Sequence, residues 1–532
     1  YSRWLDGVQQ TTDNDTPYTR GEDSGQNQWT WQHYNATVGY DGTFGRHVVS
    51  ASAGILYNIY KTDFSQNGAA GKMVEYRHMT VNGAVNYAYD DRYVATFSFA
   101  ADGSDNYRPG NRWGFYPSLG LGWIVSRERF LRDSRMVDLL KLRASVGKNG
   151  WDPMGEMRYL WEGYYTGRGG LNTGNSEHTW HGGTALSYLP NPDVFAEKSL
   201  KYDAGIDLRL WNRLSLNVDL FLEKRSGIVT QDWMIPGASG VDNPPYRNIG
   251  RMTNKGFEVQ LSWADRIGDF NYALTGMASY NSNKVDYMAE VVTVPTAART
   301  GRRLDALFGY VADGFYDWDD FDVGGELREG LPKPTFGAVQ PGDIKYKNLN
   351  GDTVIDENDQ TAIGDSYLPK LQYSFSLAAS YKGFDLFALF QGAAGRDVNL
   401  LDAPLQNVAF RDNGNVYGIA EGRWAYYPEQ GIDTRATATY PRLSLQDNSN
   451  NYRNSTLWKR SGDFLKLRNV ELGYTFAQPS LSKAGISKIR IYLSGVNLLT
   501  VSRLMRDYDI DPEILSGHPA LKSYNLGLTV TF

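Results

Sequence analysis

Hydrophobic and polar residues alternate one by one over long stretches of the chain. The last stretch places one set of residues in a single apolar phase: Tyr524, Leu526, Leu528, Val530 and Phe532. Successive side chains of a β-strand point to opposite faces, so this strand has one apolar face and one polar face. A strand with lipid on one side and water on the other needs this division. The pattern therefore predicts a transmembrane β-strand.

Two neighbouring runs indicate that the polar phase faces water and not a dry core. The runs over 202–210 and 214–222 place charged residues in the polar phase, among them Asp203, Asp207 and Asp219. Charges along whole strands do not fit the interior of a β-sandwich, but they can line a water-filled lumen. The predicted fold class is all-β, a transmembrane antiparallel β-barrel.

About fifteen such runs can be marked along the chain. They lie near 29–40, 47–61, 74–88, 93–104, 112–126, 138–150, 197–210, 214–226, 246–263, 270–285, 370–382, 384–395, 461–477, 488–498 and 519–532. Short connections between them alternate with three long ones, at 151–196, 286–369 and 396–460. Outer-membrane barrels have short periplasmic turns and long outer loops, so the long connections are predicted to be extracellular.

The number of strands bears on how much of the barrel the chain contains. A single-chain bacterial barrel has an even number of strands and both ends on the periplasmic side. If Phe532 is periplasmic, an odd count places Tyr1 outside, so an odd number of strands is expected before it. Residues 1–532 are therefore predicted to be the C-terminal portion of a barrel whose first strands are absent.

Composition excludes several other classes of protein. No apolar stretch reaches the ~20 residues of a membrane-spanning helix. The absence of Cys excludes disulfides and thiolate metal sites. The net charge is only -6, and no cluster of Lys and Arg suggests nucleic-acid binding. There is no nucleophile elbow or phosphate-binding loop, so the chain is not expected to be an enzyme.

Longer motifs in a fixed order run along most of the chain. They are NYAYDDRYVATFSFAADGS at 86–104, GFYPSLGLGW at 114–123, LLKLRASVGKNG at 139–150, NIGRMTNKGFE at 248–258, FGYVADGFY at 308–316, PGDIKYKNLNGDTVIDENDQ at 341–360, YKGFDLFALFQGAAG at 381–395, GDFLKLRNVELGYTF at 462–476, GVNLLT at 495–500, DPE at 511–513 and YNLGLTVTF at 524–532. Together they resemble the SusC/RagA-type TonB-dependent outer-membrane transporters of Bacteroidetes.

The resemblance implies a barrel of about 22 strands, plugged by an N-terminal domain, in the bacterial outer membrane. About seven strands and the plug would then precede Tyr1. It further implies import of a large nutrient, an oligosaccharide or a peptide. A SusD-like surface lipoprotein would serve as the lid, and TonB would act through the plug. Family members often form dimers of transporter–lid pairs. The sequence is compatible with a single pair and with such a dimer.

One long connection is rich in aromatic residues set among Gly and Asn, which suits contact with sugar rings or peptide side chains. The candidate ligand contacts are Trp151, Tyr159, Trp161, Tyr164, Tyr165 and Trp180. The alternative is that these residues pack the connection against itself. His178 and His181 lie nearby, but no transition-metal site is predicted because they lack a partner at ligand spacing.

The segment from Asn348 to Asp359 has the oxygen spacing of an EF-hand-like calcium loop. The candidate ligands are Asn348, Asn350, Asp352, Val354 through its carbonyl, Asp356 through a water, and Asp359. Thr353 stands where Gly usually makes the turn of such a loop, which departs from the family pattern. A second departure, outside this loop, is Ala101. The alternatives are one structural calcium ion and an Asx-rich turn without metal.

Two other functions remain open from the sequence. A passive porin would need no plug, lid or energy coupling, whereas an importer needs a plug upstream of Tyr1. A barrel-embedded hydrolase would need a Ser, a His and a carboxylate that converge at the rim, which sequence cannot show.

Overall fold

A computed structural model of the chain describes 2–5, 8–11, 29–63, 73–152, 159–163, 165–173, 179–239, 241, 243–292, 294–402, 408–410, 415–445, 448–476 and 485–532. Most of the regular structure in these ranges is β-strand. A short α-helix, α1, spans Arg503–Tyr508. None of the helices in the described ranges is long and apolar enough to cross a membrane.

Fifteen strands form one antiparallel sheet in which each strand pairs with its neighbours in sequence. They are β1 (Trp29–Phe44), β2 (His47–Asp63), β3 (Met73–Tyr89), β4 (Tyr93–Ser104), β5 (Trp113–Ile124), β6 (Val137–Trp151), β7 (Glu197–Leu210), β8 (Leu214–Gln231), β9 (Tyr246–Ile267), β10 (Phe270–Tyr287), β11 (Leu371–Tyr381), β12 (Phe384–Ala394), β13 (Phe464–Phe476), β14 (Lys488–Ser502) and β15 (Ser523–Thr531). The predicted number of strands and their antiparallel order are confirmed.

The sheet has one polar face and one apolar face, as the alternation predicts. Between β7 and β8, Asp207 pairs with Asn217 on the polar face, whereas Ala204 pairs with Leu220 on the apolar face. The side chain of Leu220 is 58% exposed. Large apolar side chains exposed in every strand would be unfavourable in water, but they suit contact with lipid.

The short connections are tight turns. Lys382 and Gly383 join β11 to β12 with φ values of 45° and 92°. Positive φ at both central residues is typical of the type I′ turn, whose twist matches that of the flanking strands. Trp211 and Asn212, between β7 and β8, also have positive φ. These turns keep successive strands in register.

The long connections contain several short strand pairs that the alternation does not predict. These are Tyr165–Thr173 with Thr179–Leu186, Leu307–Gly309 with Thr361–Gly364, Ala312–Phe315 with Ile344–Tyr346, Lys333–Pro334 with Val354–Ile355, Asp397–Asn399 with Lys459–Ser461, and Tyr426–Tyr427 with Ile432–Asp433. A further pair, Ser2–Leu5 with Val8–Thr11, precedes the sheet. Most of these strands are two to four residues long, too short to show a period.

Short 3₁₀ helices complete the connections. They span Val125–Arg127, Gly237–Ser239, Pro295–Ala297, Trp318–Asp320, Glu357–Asp359, Leu400–Asp402, Gly418–Gly422 and Pro428–Gln430.

The main hydrophobic core lies in the connections and not in the sheet. The connections after β10, β12 and β14 contribute its buried residues, which are Tyr310, Ile344, Tyr346, Ile355, Val398, Leu400, Ala409, Ala420, Tyr440, Trp458 and Leu504. We call this unit the loop body. A sheet with lipid on one face and water on the other, as the alternation predicts, would have no dry interior of its own, which fits a core placed in the connections.

Candidate functional site

The centre of the polar face carries a cluster of charges around one guanidinium. Arg143 on β6 lies 3.6 Å from Asp203 and 3.3 Å from Asp207, both on β7. Its Nη2 also donates to Asp219 on β8 at 2.6 Å. Lys141 lies 3.7 Å from Asp207. Three carboxylates outnumber the two cations, so this part of the face is acidic.

A recess of about 440 Å³ lies beside this cluster. Its lining includes Arg143 and Asp219 of the cluster and four uncharged polar residues, Asn217, Gln260, Ser374 and Gln391. These uncharged residues lie in one cross-strand row, in which Met277 separates Gln260 from Ser374. Amides and hydroxyls both donate and accept hydrogen bonds, so this row can contact many polar solutes without selecting a charge.

A second charged cluster joins the sheet to the connection after β14. Lys466 on β13 is fully buried, and its Nζ lies 2.7 Å from both Asp511 and Glu513. Arg468 contacts the other oxygen of Glu513. The connection between β14 and β15 is therefore tied to the polar face of β13 by ion pairs.

The same connection also packs into the loop body. Leu504 in α1 is fully buried in the hydrophobic core, and Arg460 donates to the hydroxyl of Tyr508 at 2.6 Å. Burial disfavours ionisation of Glu513, but hydrogen bonds from Arg468 and Lys466 outweigh it and lower the pKa of this carboxyl. This connection thus links the loop body to the polar face.

The predicted loop aromatics fall into two groups. Tyr159 and Trp161 pack edge to face, with ring centroids 6.4 Å apart. Their N–H groups donate to Asn106, from the backbone of Tyr159 at 2.9 Å and from the indole of Trp161 at 3.1 Å. These two residues hold the connection against the end of β4, in line with the packing alternative.

The other group is exposed. Trp151 is 58%, Tyr165 74% and Trp180 59% accessible, so their rings are free to contact a ligand. Tyr165 and Trp180 belong to the strand pair that follows β6. Tyr164 and His178 lie outside the described residues. Ligand contact by this group stays a prediction.

Asp152 orders the start of the same connection. It accepts hydrogen bonds from Asn106 at 2.8 Å and from the hydroxyl of Tyr107 at 2.9 Å, and Ser104 also donates to it. Burial, followed by the charge of Asp152, raises the pKa of Tyr107. The phenol therefore stays protonated and remains a donor to this carboxylate.

The predicted calcium loop is compact and closed by side-chain hydrogen bonds. Asn348 accepts from the N–H of Gly351 at 2.6 Å, and Asp352 accepts from the N–H of Val354 at 2.8 Å. Gly351 has a φ of 80° and makes the left-handed turn, so Thr353 need not adopt this conformation.

Asp359, which closes this loop, is fully buried. Both of its oxygens accept backbone N–H groups, from Leu349 at 2.7 Å and from Asp356 at 2.9 Å. In the described part of the chain, no three His, Cys, Asp or Glu side chains are grouped to hold a metal ion. A cation in the loop would therefore also need the oxygens of Asn348, Asn350 and Val354.

Comparison with known proteins shows which kind of barrel the sheet belongs to. A family profile described as "TonB dependent receptor-like, beta-barrel" matches residues 1–498. The chain belongs to this family. As a TonB-dependent receptor-like β-barrel, it lies in the outer membrane with its apolar face toward lipid and its polar face toward the lumen. The predicted fold class and localisation are confirmed.

Relatives of this receptor-like barrel occur in Bacteroidetes. TonB-dependent receptor P3 of Formosa agariphila is 26% identical over 93% of this chain and 51% of its own length. TonB-dependent receptor SusC of Bacteroides thetaiotaomicron is 26% identical over 85% of this chain and 43% of its own length. The chain thus spans about half the length of the curated relatives that it matches.

Among solved structures, the RagAB peptide transporter matches with a TM-score of 0.69 and 21% sequence identity. The match covers 95% of this chain and 55% of that one. It confirms the SusC/RagA-like fold. The matching family profile and the curated relatives are those of TonB-dependent receptors, which agrees with the prediction that this receptor-like barrel is not an enzyme.

The contacts of two groups of residues on the polar face could not be predicted from the sequence. Lys466 is one of two cations in an alternating strand, and no spacing relates it to Asp511, which lies in the connection after β14. Four aromatic residues, Trp29, Trp31, Tyr60 and Tyr76, fall in the polar phase of β1 to β3. Their phase can be read from the alternation, but only the strand register shows that Trp31, Tyr60 and Tyr76 adjoin.

Proposed function

We propose that this chain is the barrel part of a TonB-dependent importer that carries a large nutrient, an oligosaccharide or a peptide, across the outer membrane. The observation that carries the proposal is the polar face, which continues across all fifteen strands in a chain of this family. A nutrient too large for a porin needs a water-filled route of this kind. The apolar face of the sheet anchors the barrel in lipid.

The barrel of this importer extends beyond the fifteen strands. β1 and β15 are the two edges of the sheet, and most side chains of β1 are exposed on both faces. Lipid cannot satisfy the hydrogen bonds of an open strand edge, so a membrane barrel must close. We propose that further strands, about seven for a 22-stranded barrel, close it and that a plug fills it. The twofold length of the relatives supports this.

The proposed partners are a SusD-like surface lipoprotein, TonB and outer-membrane lipid. The loop body offers an ordered surface on which a lid could close, and the similar solved structure is named as that of the RagAB peptide transporter. We place the long connections, and with them the exposed Trp151, Tyr165 and Trp180, on the extracellular side, where the nutrient arrives. TonB would act through the plug. Such transporter–lid pairs could work singly or as dimers.

Uptake by living cells tests this function. Fluorescent oligosaccharides and peptides would be offered to wild-type cells, to cells without this protein and to cells without TonB. The proposal expects uptake of at least one probe to be lost in both mutants, because energy coupling is required. Uptake that persists without TonB but stops without this protein would indicate a passive porin.

We also propose that the loop from Asn348 to Asp359 holds one structural calcium ion. The side-chain oxygens of Asn348, Asp352 and Asp359 support this, because an oxygen that accepts one N–H keeps a lone pair for a cation. The ion would stabilise the loop body and take no part in transport chemistry.

A melting experiment tests the ion. Calcium should raise the melting temperature of the purified transporter relative to the chelated protein, and Asp352→Asn should abolish this difference. Asp319→Asn, at an exposed position in the same connection, serves as the control. Equal melting with calcium and with chelator would show that the loop is an Asx-rich turn without metal.

A further inference from the structure

Aromatic side chains form a row on the polar face near the start of β1. Trp31 pairs directly with Tyr60 on β2, and Tyr60 pairs directly with Tyr76 on β3. Directly paired residues share a face, so the three rings lie side by side across three strands. The centroids of Tyr60 and Tyr76 are 5.6 Å apart. Trp29 follows Trp31 on the same face of β1.

This row belongs to the lumen and not to the lipid surface. Gly147 lies on the same face of β6 as Arg143, and Gly39 lies on the same face of β1 as Trp31. Direct pairs connect Gly147 to Gly39 across the strands between them, through Ser118, Ser98, Ala84 and Ser52. Trp31 is 63% exposed, whereas Tyr76 is 9% exposed. Trp31 lies on the edge strand of this sheet, whereas Tyr76 is packed within the sheet.

A polar row lies next to the aromatic one. His33, Asn58 and His78 are the paired residues two positions along the same strands. His33 Nδ1 and Asn58 Oδ1 are 2.7 Å apart, and His78 Nε2 lies 3.2 Å from Asp102. Asp102 also accepts from the hydroxyl of Thr80 at 2.6 Å. The row offers donors and acceptors, and the neighbouring carboxylate of Asp102 is already engaged.

We propose that these two rows form a subsite for an uncharged sugar on the lumen wall. A sugar ring has an apolar face, which would stack on Trp31 and Tyr60, and a rim of hydroxyls, which would bond to His33, Asn58 and His78. The inference rests on the proposed import function and selects the oligosaccharide among its two nutrient classes.

The surrounding chemistry favours a sugar over a peptide. A peptide in extended form gains affinity by pairing with a strand edge, but β2 is already paired on both sides, and β1 would be paired likewise in the closed barrel proposed above. A charged ligand would need a free counter-ion. The two rows contain no Asp, Glu, Lys or Arg, and the neighbouring carboxylate of Asp102 is held by Thr80 and His78.

The same two strands provide a matched control on the opposite face. Tyr34 on β1 and Tyr57 on β2 are paired and stacked, with centroids 6.4 Å apart. They match Tyr60 in residue type and lie on the apolar face toward lipid. Removing either ring alters the strands without touching the lumen.

Binding to the intact transporter, purified with its lid protein, tests the subsite. The probes are a panel of neutral gluco- and manno-oligosaccharides, measured by calorimetry. Trp31→Ala and Tyr60→Ala should each weaken binding of the preferred probe roughly tenfold, because each loses a stacking contact. Trp31→Phe should restore part of the loss, and Tyr34→Ala and Tyr57→Ala should bind as the wild type does.

Three results would overturn the subsite. They are the absence of sugar binding to the wild type, equal weakening in all four alanine variants, and unchanged binding in Trp31→Ala and Tyr60→Ala. If TonB-dependent uptake of peptides is observed alongside any of them, the import function stands and only the subsite is lost. Uptake that needs no TonB would instead contradict the import function itself.

Discussion

Gly256 on β9 shows how closely the strands of the polar face approach. A Cβ atom built there would lie 1.9 Å from the backbone oxygen of Tyr280 and 2.6 Å from the ring of Phe221. Backbone cannot move as a side-chain tip can, so Gly256→Ala should destabilise the barrel by about 1–3 kcal/mol. Gly276→Ala, at a position with open space, is the control. Equal melting temperatures of the two variants would contradict this account of the packing.

Leu528 on β15 tests which face of the sheet contacts lipid. Its side chain is 64% exposed on the apolar face, so Leu528→Arg should lower the free energy of unfolding by about 2–4 kcal/mol. Asn525→Arg, on the polar face of the same strand, should have a smaller effect because water can solvate the charge. Refolding into lipid vesicles at increasing urea measures both. If Leu528→Arg is the more stable variant, the assignment of the faces is wrong.

At the scale of elements, the connection after β14 is a tether with a defined pH dependence. The pKa of Glu513 lies below its ordinary value of 4.5, so its ion pairs contribute their full stability above pH 4.5. That stability is lost as the pH falls through the lower folded pKa. Hydrogen exchange of residues 509–521, corrected for intrinsic rates, should therefore accelerate only below about pH 4.5.

Glu513→Gln serves as the comparison for this tether. The amide cannot titrate, so the variant should exchange faster than the wild type at pH 6 and lack the acid-induced step. A wild-type tether that opens between pH 7 and pH 5 would contradict the role given to Glu513.

The sheet strands were predictable from the sequence, whereas the loop body was not. Each strand carries its own signal, because lipid and water impose a period of two along it. The core of the loop body brings Tyr310, Trp458 and Leu504 together from three separate connections. Its strands are too short for a period, so only the three-dimensional structure reveals it.

The candidate site was predictable to a similar extent. The inward phase of Trp31 and Tyr60 follows from alternation, but their adjacency depends on a register that the turn after β1 sets. The loop aromatics were chosen by composition, which does not separate Tyr159, held at Asn106, from the exposed Trp180.

For the whole molecule, the two open edges of the sheet and the length of the relatives bear on whether these strands belong to a larger, plugged barrel. The account requires a larger plugged barrel in complex with a surface lipoprotein, whereas a porin requires neither. Hydrogen bonds between strands and contact with lipid stabilise the sheet, whereas a hydrophobic core stabilises the loop body.

The most direct test is the mass and subunit content of the complex extracted in mild detergent, determined by native mass spectrometry. The account predicts a barrel chain of about twice the mass of residues 1–532, as in the relatives, together with a lipoprotein. A barrel of this chain alone, without a lipoprotein and conducting ions freely in a planar bilayer, would contradict the energised importer.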